Sequence, residues 1–280
     1  MVSTNAVPNV IPPERDLFPP SPRVIYKHAP LTQVICQLRF PLLLKIESEP
    51  PADFQERIRD RFPLLERIQP QMPDLPPEIA QAMGIAIAPA KSEFAFRKED
   101  GSASLSLGPE HIALTTTKYT RWEEFSSALR PALAALIEIY RPSFFQRVGL
   151  RYVNVIDRTA LGIANVNWSG LLQKPMLGEL GVPIFEEHVS DAKRNVRVNL
   201  PNDPGCAMFL QHGFAKKKNS TEIAYRLDFD FYRSEKTEVA DAQPTLDRFN
   251  SMVGRAFRWC ITERLHEQLG PTPMELAQSA

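Results

Sequence analysis

Arg147 and Arg151 flank Gly149 in the stretch FFQRVGLRYVNVID, residues 144–157. In a β-strand, successive side chains point to opposite faces. Phe145, Arg147, Gly149, Arg151, Val153 and Val155 would then share one face, with Val148, Leu150, Tyr152 and Ile156 on the other. Paired guanidinium groups on one sheet surface can grip a phosphate or a carboxylate bidentately. The same alternation in EIAYRLDFDFY sets Arg226, Asp228 and Asp230 opposite an apolar series of Ile223, Tyr225, Leu227, Phe229 and Phe231. In RNVRVNLP it turns Asn195, Arg197 and Asn199 outward and Val196, Val198 and Leu200 inward. Pairing these strands would collect Arg147, Arg151, Arg197, Arg226, Asp228 and Asp230 on one surface. Two readings follow. The groups can be cross-strand ion pairs, contributing about 0.2–1 kcal/mol each, or the walls of a cleft for a small anion. Arg151 is expected to pair with Asp228 or Asp230, while Arg147, nearer the strand entrance, is the better ligand candidate. Gly149 would admit a closely approaching ligand or mark a bulge.

Other clusters are weaker. Lys216, Lys217 and Lys218 lie in AKKKNST, a hairpin connection whose basic tip can touch nucleic-acid phosphates or simply be solvated. EEHVSD brings Glu186, Glu187, His188 and Asp191 together, and the mixture suits a polar surface segment better than a metal or proton-transfer site. The five histidines stand apart and no cysteine pair has zinc-ligand spacing, so neither metal nor cofactor is expected. No glycine-rich nucleotide loop or G-x-S-x-G elbow occurs. A catalytic group assembled from separate strands stays open, because such sites are defined by geometry. Trp122, Trp168 and Trp259 read as core or interface anchors.

Lysine plus arginine and aspartate plus glutamate both number 33, which leaves no global field to draw nucleic acid or an anionic membrane. Apolar runs fall short of the roughly 20 residues that span a bilayer, and the N-terminus has no basic segment followed by an apolar core. Cys36, Cys206 and Cys260 lie far apart among apolar residues, as buried free thiols do. A soluble, unexported, cytoplasmic protein is predicted.

The elements that must position these groups are legible from periodicity. Residues 1–30 hold seven of the 26 prolines and read as an extended arm. TQVICQLRF alternates as a first strand. Phe54, Ile58, Phe62 and Leu65 recur at helical spacing and predict a helix over 51–69, with Pro63 as a kink or end. Residues 70–92 read as a long connection. EFAFRK, ASLSLG and HIALTTT form an antiparallel meander. Trp122, Phe125, Leu129, Leu133, Leu136 and Tyr140 mark the stripe of a helix over 121–141, opened by a Thr120–Glu123 capping box and bent at Pro131. After the central strand come RNVRVNLP, CAMFLQHGF and EIAYRLDFDFY, then a helix over 245–269. The expectation is an α+β fold, antiparallel sheets packed by long helices. It divides into a proline-rich arm (1–30), two related strand-strand-strand-helix halves (31–142 and 143–270) and a tail (271–280).

APLTQVICQLRF, RVGLRYVNVID and FRWCITERLHEQLG, in this order, resemble segments of a sporadically distributed bacterial family of uncharacterised proteins. The resemblance carries no catalytic residue. Its patchy distribution implies a mobile genetic context such as a defence or toxin-antitoxin operon. The leading expectation is a non-catalytic interaction or regulatory protein with a protein partner encoded nearby, or with a second copy of itself as a homodimer. The alternative is a binding protein or enzyme for a small nucleotide-like or carboxylate anion held on the arginine-bearing face. Nucleic acid and membrane partners are not expected.

Overall fold

The computed structural model describes residues 17–68, 93–186, 188–201, 203–216 and 222–274. In chain order the strands are β1 (Val24–Tyr26), β2 (Leu31–Arg39), β3 (Leu64–Ile68), β4 (Glu93–Arg97), β5 (Ala103–Gly108), β6 (His111–Thr116), β7 (Arg147–Ile156), β8 (Lys193–Asn199), β9 (Cys206–Lys216), β10 (Ile223–Arg233) and β11 (Pro271–Pro273). The helices are α1 (Leu44–Ser48), α2 (Ala52–Ile58), α3 (Trp122–Tyr140), α4 (Lys174–Leu177), α5 (Pro183–Glu186), α6 (Ala242–Cys260) and α7 (Glu263–Gln268).

The fold is α+β, with every strand pairing antiparallel. Nine strands form one sheet in the order β3-β4-β5-β6-β2-β7-β10-β9-β8, and β1 and β11 form a separate two-stranded ribbon. The seam between the two halves of the chain is the β2–β7 ladder, where Leu38 faces Val148, Cys36 faces Leu150 and Val34 faces Tyr152. Strand order follows one pattern on either side of this seam, with five strands in the first half and four in the second. The first strand of each half, β2 or β7, is flanked by the last, β6 or β10, then by the one before it. Each half then passes into a long helix, α3 or α6.

Alternation buries one face and leaves the other half-exposed. Val34, Cys36 and Leu38 on β2, Val148, Leu150 and Ile156 on β7, and Leu227, Phe229 and Phe231 on β10 are fully buried. Helices cover this face. Phe249 of α6 packs its ring 6.1 Å from that of Phe231, and Leu129 and Leu136 of α3 are fully buried. Each large apolar side chain removed from water contributes roughly 1.5–3 kcal/mol. Trp122 Nε1 donates to Asp247 at 2.7 Å and Gln243 Nε2 to Ser126 at 3.2 Å, joining the first turns of α3 and α6.

Several boundaries differ from expectation. The helix predicted over 51–69 stops at Ile58, and after Pro63 the chain becomes edge strand β3, with Leu64 and Leu65 exposed. Pairing with β4 outweighed the helical spacing of Phe62 and Leu65. The helix predicted over 245–269 is two: α6 ends at Cys260, Ile261 bridges to Leu172, and Thr262 caps α7 by accepting from the Leu265 amide at 3.3 Å. The Thr120–Glu123 capping box does not form. Arg121 occupies the N-cap of α3 without a side-chain bond, and Glu123 accepts from Arg23 instead. Pro131 sits within an uninterrupted α3, and Arg141, at φ 50°, turns the chain into Pro142. Val196, expected inward, is 42% exposed because β8 is the sheet's edge. Within the expected arm and tail, β1 and β11 pair with each other. The connection over 70–92 lies outside the described residues.

Candidate functional site

On the half-exposed sheet face the predicted arginines and aspartates do come together. Arg147 Nη2 donates to both Asp230 oxygens, at 2.9 and 2.8 Å. Arg151 donates through Nε and Nη2 to the two oxygens of Asp228, at 2.8 and 2.7 Å. Arg226 Nη2 also donates to Asp228. The guanidinium groups of Arg147 and Arg197 lie 5.0 and 5.8 Å from the ring centre of Tyr232. Gly149 serves this network directly, because a Cβ there would collide with the Arg147 guanidinium, which crosses the glycine to reach Asp230. Burial holds the Asp230 carboxyl above the ordinary carboxylate range, with Arg147 opposing the shift. The hydrogen bonds from Arg151 to Asp228 raise the arginine further. Arg147, Arg151 and Arg226 are thus bonded to carboxylates of their own sheet, and Arg147 in particular spends Nη2 on Asp230.

The remaining predicted groups do not converge. Lys216 ends β9, while Lys217 and Lys218 lie outside the described residues. Glu186 accepts from the amide and hydroxyl of Ser169, at 3.2 and 2.9 Å, and Asp191 pairs with Lys193 on the surface. His188 is exposed, and Glu187 is not described. Among the described residues no group of His, Cys, Asp and Glu is arranged to hold a metal ion. All three cysteines are free and buried, and burial pushes the Cys206 thiol up to about 12. Trp122 and Trp168 are buried as anchors, whereas Trp259 is 36% exposed and packs against Phe18.

A different site lies on the helix-covered face. A cavity of about 540 Å³ opens between the end of β7, the flank of α6, residues 119–122 at the entrance of α3, and a strap formed by residues 21–31. Tyr152 and Asn154 enter it from β7, and Asn250 from α6. Tyr152 donates to Asn250 Oδ1 at 3.1 Å, Tyr119 reaches the same oxygen at 3.5 Å, and the two tyrosine hydroxyls are 3.3 Å apart. Asn154 is buried and donates to the Leu227 carbonyl at 3.3 Å. The β2–β7 register shifts between Leu31 and Gln33. Leu31 and Asn154, paired beside this irregularity, both line the cavity.

The strap is held at several points. β1 pairs with β11, the Lys27 and His28 amides donate to the carbonyls of Gly270 and Leu269 at 2.9 and 3.0 Å, and the Tyr26 hydroxyl lies 2.8 Å from His266 Nδ1. Burial pushes Tyr26 and Tyr119 up to about 12 and Tyr152 well above its ordinary value. At neutral pH these phenols keep their protons and serve as hydrogen-bonding groups, unsuited to act as bases. Arg23, Arg121, Arg255 and Arg258 also line the cavity.

The sequence carried one signal of this site. In the inward series Val148, Leu150, Tyr152, Asn154, Ile156, an asparagine stands where an apolar residue belongs. Buried polar groups need partners, so the interruption marked a place where the core is not purely apolar. No protein-family model matches this chain, and no curated protein matches it significantly.

Proposed function

We propose that this chain is a non-catalytic binding protein that takes a small organic molecule into the Tyr119–Tyr152–Asn250 cavity. The observation that carries this reading is the cavity itself: about 540 Å³, with a hydrogen-bonded Tyr–Tyr–Asn floor and apolar walls including Trp122, Val253 and Phe257. Small-molecule sites combine a volume of roughly 300–1,000 Å³ with mostly apolar walls and a few fixed polar groups. Its ionisable groups, arginines and high-pKa tyrosines, favour recognition over proton transfer near neutrality. On the opposite face, carboxylates already occupy Arg147, Arg151 and Arg226, which moves the ligand reading away from that surface.

Binding is tested by identifying small molecules released when the purified chain is denatured, side by side with Gly254→Trp. Gly254 lines the cavity, and a Cβ added there meets nothing within 4 Å, so a tryptophan can be accommodated at the cavity wall. A molecule recovered from the wild type and absent from the variant supports the reading. Equal recovery from both, or from neither, counts against it.

A regulatory role through a protein partner is the second reading. Val182, Ile184 and Phe185, at and beside α5, are 45, 69 and 52% exposed, a run of apolar surface of the kind that marks interaction sites. No described helix is long and apolar enough to cross a membrane. Free buried thiols support a reducing cytoplasm as the place of action. Co-expression with genomic neighbours, followed by co-purification, tests the partner. A monomer that retains none of them argues against it.

A further inference from the structure

Resting on the reading of the cavity as a small-molecule site, the geometry points to the class of ligand: an anion, carboxylate or phosphate, carried on an apolar or aromatic body. Four arginines, Arg23, Arg121, Arg255 and Arg258, line the cavity, and among its described lining residues there is no aspartate or glutamate. A concave surface lined by one sign of charge concentrates field and draws the opposite ion. The carboxylates that pair with Arg23, Arg121 and Arg258, namely Glu123, Glu124 and Glu263, stand outside the lining. Arg23 donates through Nη1 and Nη2 to a single oxygen of Glu123, both at 3.2 Å, with the two side chains 50 and 53% exposed. Arg121 offers Nε to Glu124 at 2.8 Å, again in an exposed pair. Such pairs are weakly held in water, so a ligand anion can compete for the guanidinium forks. Arg258 is committed, donating Nη1 to the Ile261 carbonyl at 3.2 Å and Nη2 to Glu263, so Arg23 and Arg121 are the guanidinium groups that a ligand would recruit. Trp122, Val253 and Phe257 supply the apolar surface of the cavity.

The test uses two fluorescent probes that differ by one charged group, anilinonaphthalene sulfonate and its uncharged parent, phenylnaphthylamine. The sulfonate should bind the full chain about tenfold more tightly, the effect of one added charge-assisted hydrogen bond. Combined Arg23→Gln and Arg121→Gln substitutions should remove that advantage and leave the parent's affinity unchanged. Gly254→Trp should abolish binding of both, and Ser251→Trp, on the same flank of α6, replaces it if that variant does not fold. Equal affinity for the two probes, both blocked by tryptophan, overturns the anionic ligand while the cavity reading stands. Binding of both probes that tryptophan leaves intact, or binding of neither, overturns the cavity reading and the inference with it. Displacement of the sulfonate by benzoate or by phenyl phosphate separates the two anion sources. Displacement by neither rejects both.

Discussion

Arg151 lies directly across the ladder from Asp230 yet bonds Asp228, a diagonal neighbour on β10. The choice leaves Asp230 to Arg147 and gives Asp228, whose side chain is only 1% exposed, two guanidinium partners. Arg151 and Arg226 are far more open, at 37 and 39%. Desolvation therefore falls on the carboxylate.

The energetic consequence is non-additive. Arg151→Ala or Arg226→Ala alone leaves Asp228 with one cation and should cost about 1 kcal/mol. The double variant strands a buried carboxylate and should cost about 3–5 kcal/mol. Chemical denaturation of the four proteins measures the coupling. A double-variant loss equal to the sum of the single losses would sink the claim.

Gly149 should matter only through Arg147. Its missing Cβ gives the Arg147 guanidinium its path to Asp230. The colliding atoms are the tip of a flexible side chain, so Gly149→Ala should displace the guanidinium and spare the strand, with a loss of about 1 kcal/mol, the scale of a partly exposed pair. In an Arg147→Ala background the same substitution should be close to neutral. A comparable loss in both backgrounds would place the glycine's role in the backbone.

Much of the sheet was readable because period-two alternation is local. EFAFRK, ASLSLG and HIALTTT became β4, β5 and β6, and the pairing of Arg151 with an aspartate of EIAYRLDFDFY followed from shared faces. The α3 stripe was equally local. Competing long-range partners were not. Phe62 and Leu65 keep helical spacing with Phe54, yet the chain beyond Pro63 finds a ladder with β4 that no local pattern reports. Ile261 breaks the last helix because Leu172 offers it a bridge from another part of the chain. The cavity was hidden for the same reason. Tyr119, Tyr152 and Asn250 come from a loop, a strand and a helix, and only Asn154 gave a local sign of polar demand within the core.

Acid should weaken the fold through His212. The single Tyr225 hydroxyl proton goes to the Met176 carbonyl at 3.0 Å, so His212 Nδ1, 2.8 Å away, donates to the tyrosine oxygen from a neutral ring. Burial lowers the His212 pKa, and Arg194 lowers it further. His266, beside Tyr26, is lowered in the same direction, first by burial. A folded-state pKa below the unfolded value of about 6.5 means that the unfolded chain binds protons more readily. The histidine contribution to stability should thus be level above that pH and fall as pH drops below it toward the folded values. His212→Gln should flatten part of the slope. An unchanged slope, measured by denaturation between these pH limits, would assign the acid sensitivity to other groups.

Gly213 should be the least replaceable glycine of the described sheet. It adopts φ 144°, and a Cβ there would run into the backbone carbonyl of Ala192, which already accepts from the Phe214 amide at 2.8 Å. The carbonyl and the Lys193 Cα beside it cannot swing aside, because they are backbone at the entrance of β8, where Lys193 pairs with Gly213. Gly101 provides the contrast: its φ of 66° is also left-handed, but a Cβ there meets nothing within 4 Å. Gly101→Ala should cost about 1–2 kcal/mol, the left-handed penalty alone. Gly213→Ala should cost more, since strain of about 1–3 kcal/mol adds to displacement of the β8 entrance. Because β8 carries Arg197 beside Tyr232, the variant should also loosen the outer edge of the arginine-bearing face. Faster amide exchange across residues 193–199 than in the wild type would register this. If Gly213→Ala were no more destabilising than Gly101→Ala, close packing against Ala192 would not be what requires the glycine.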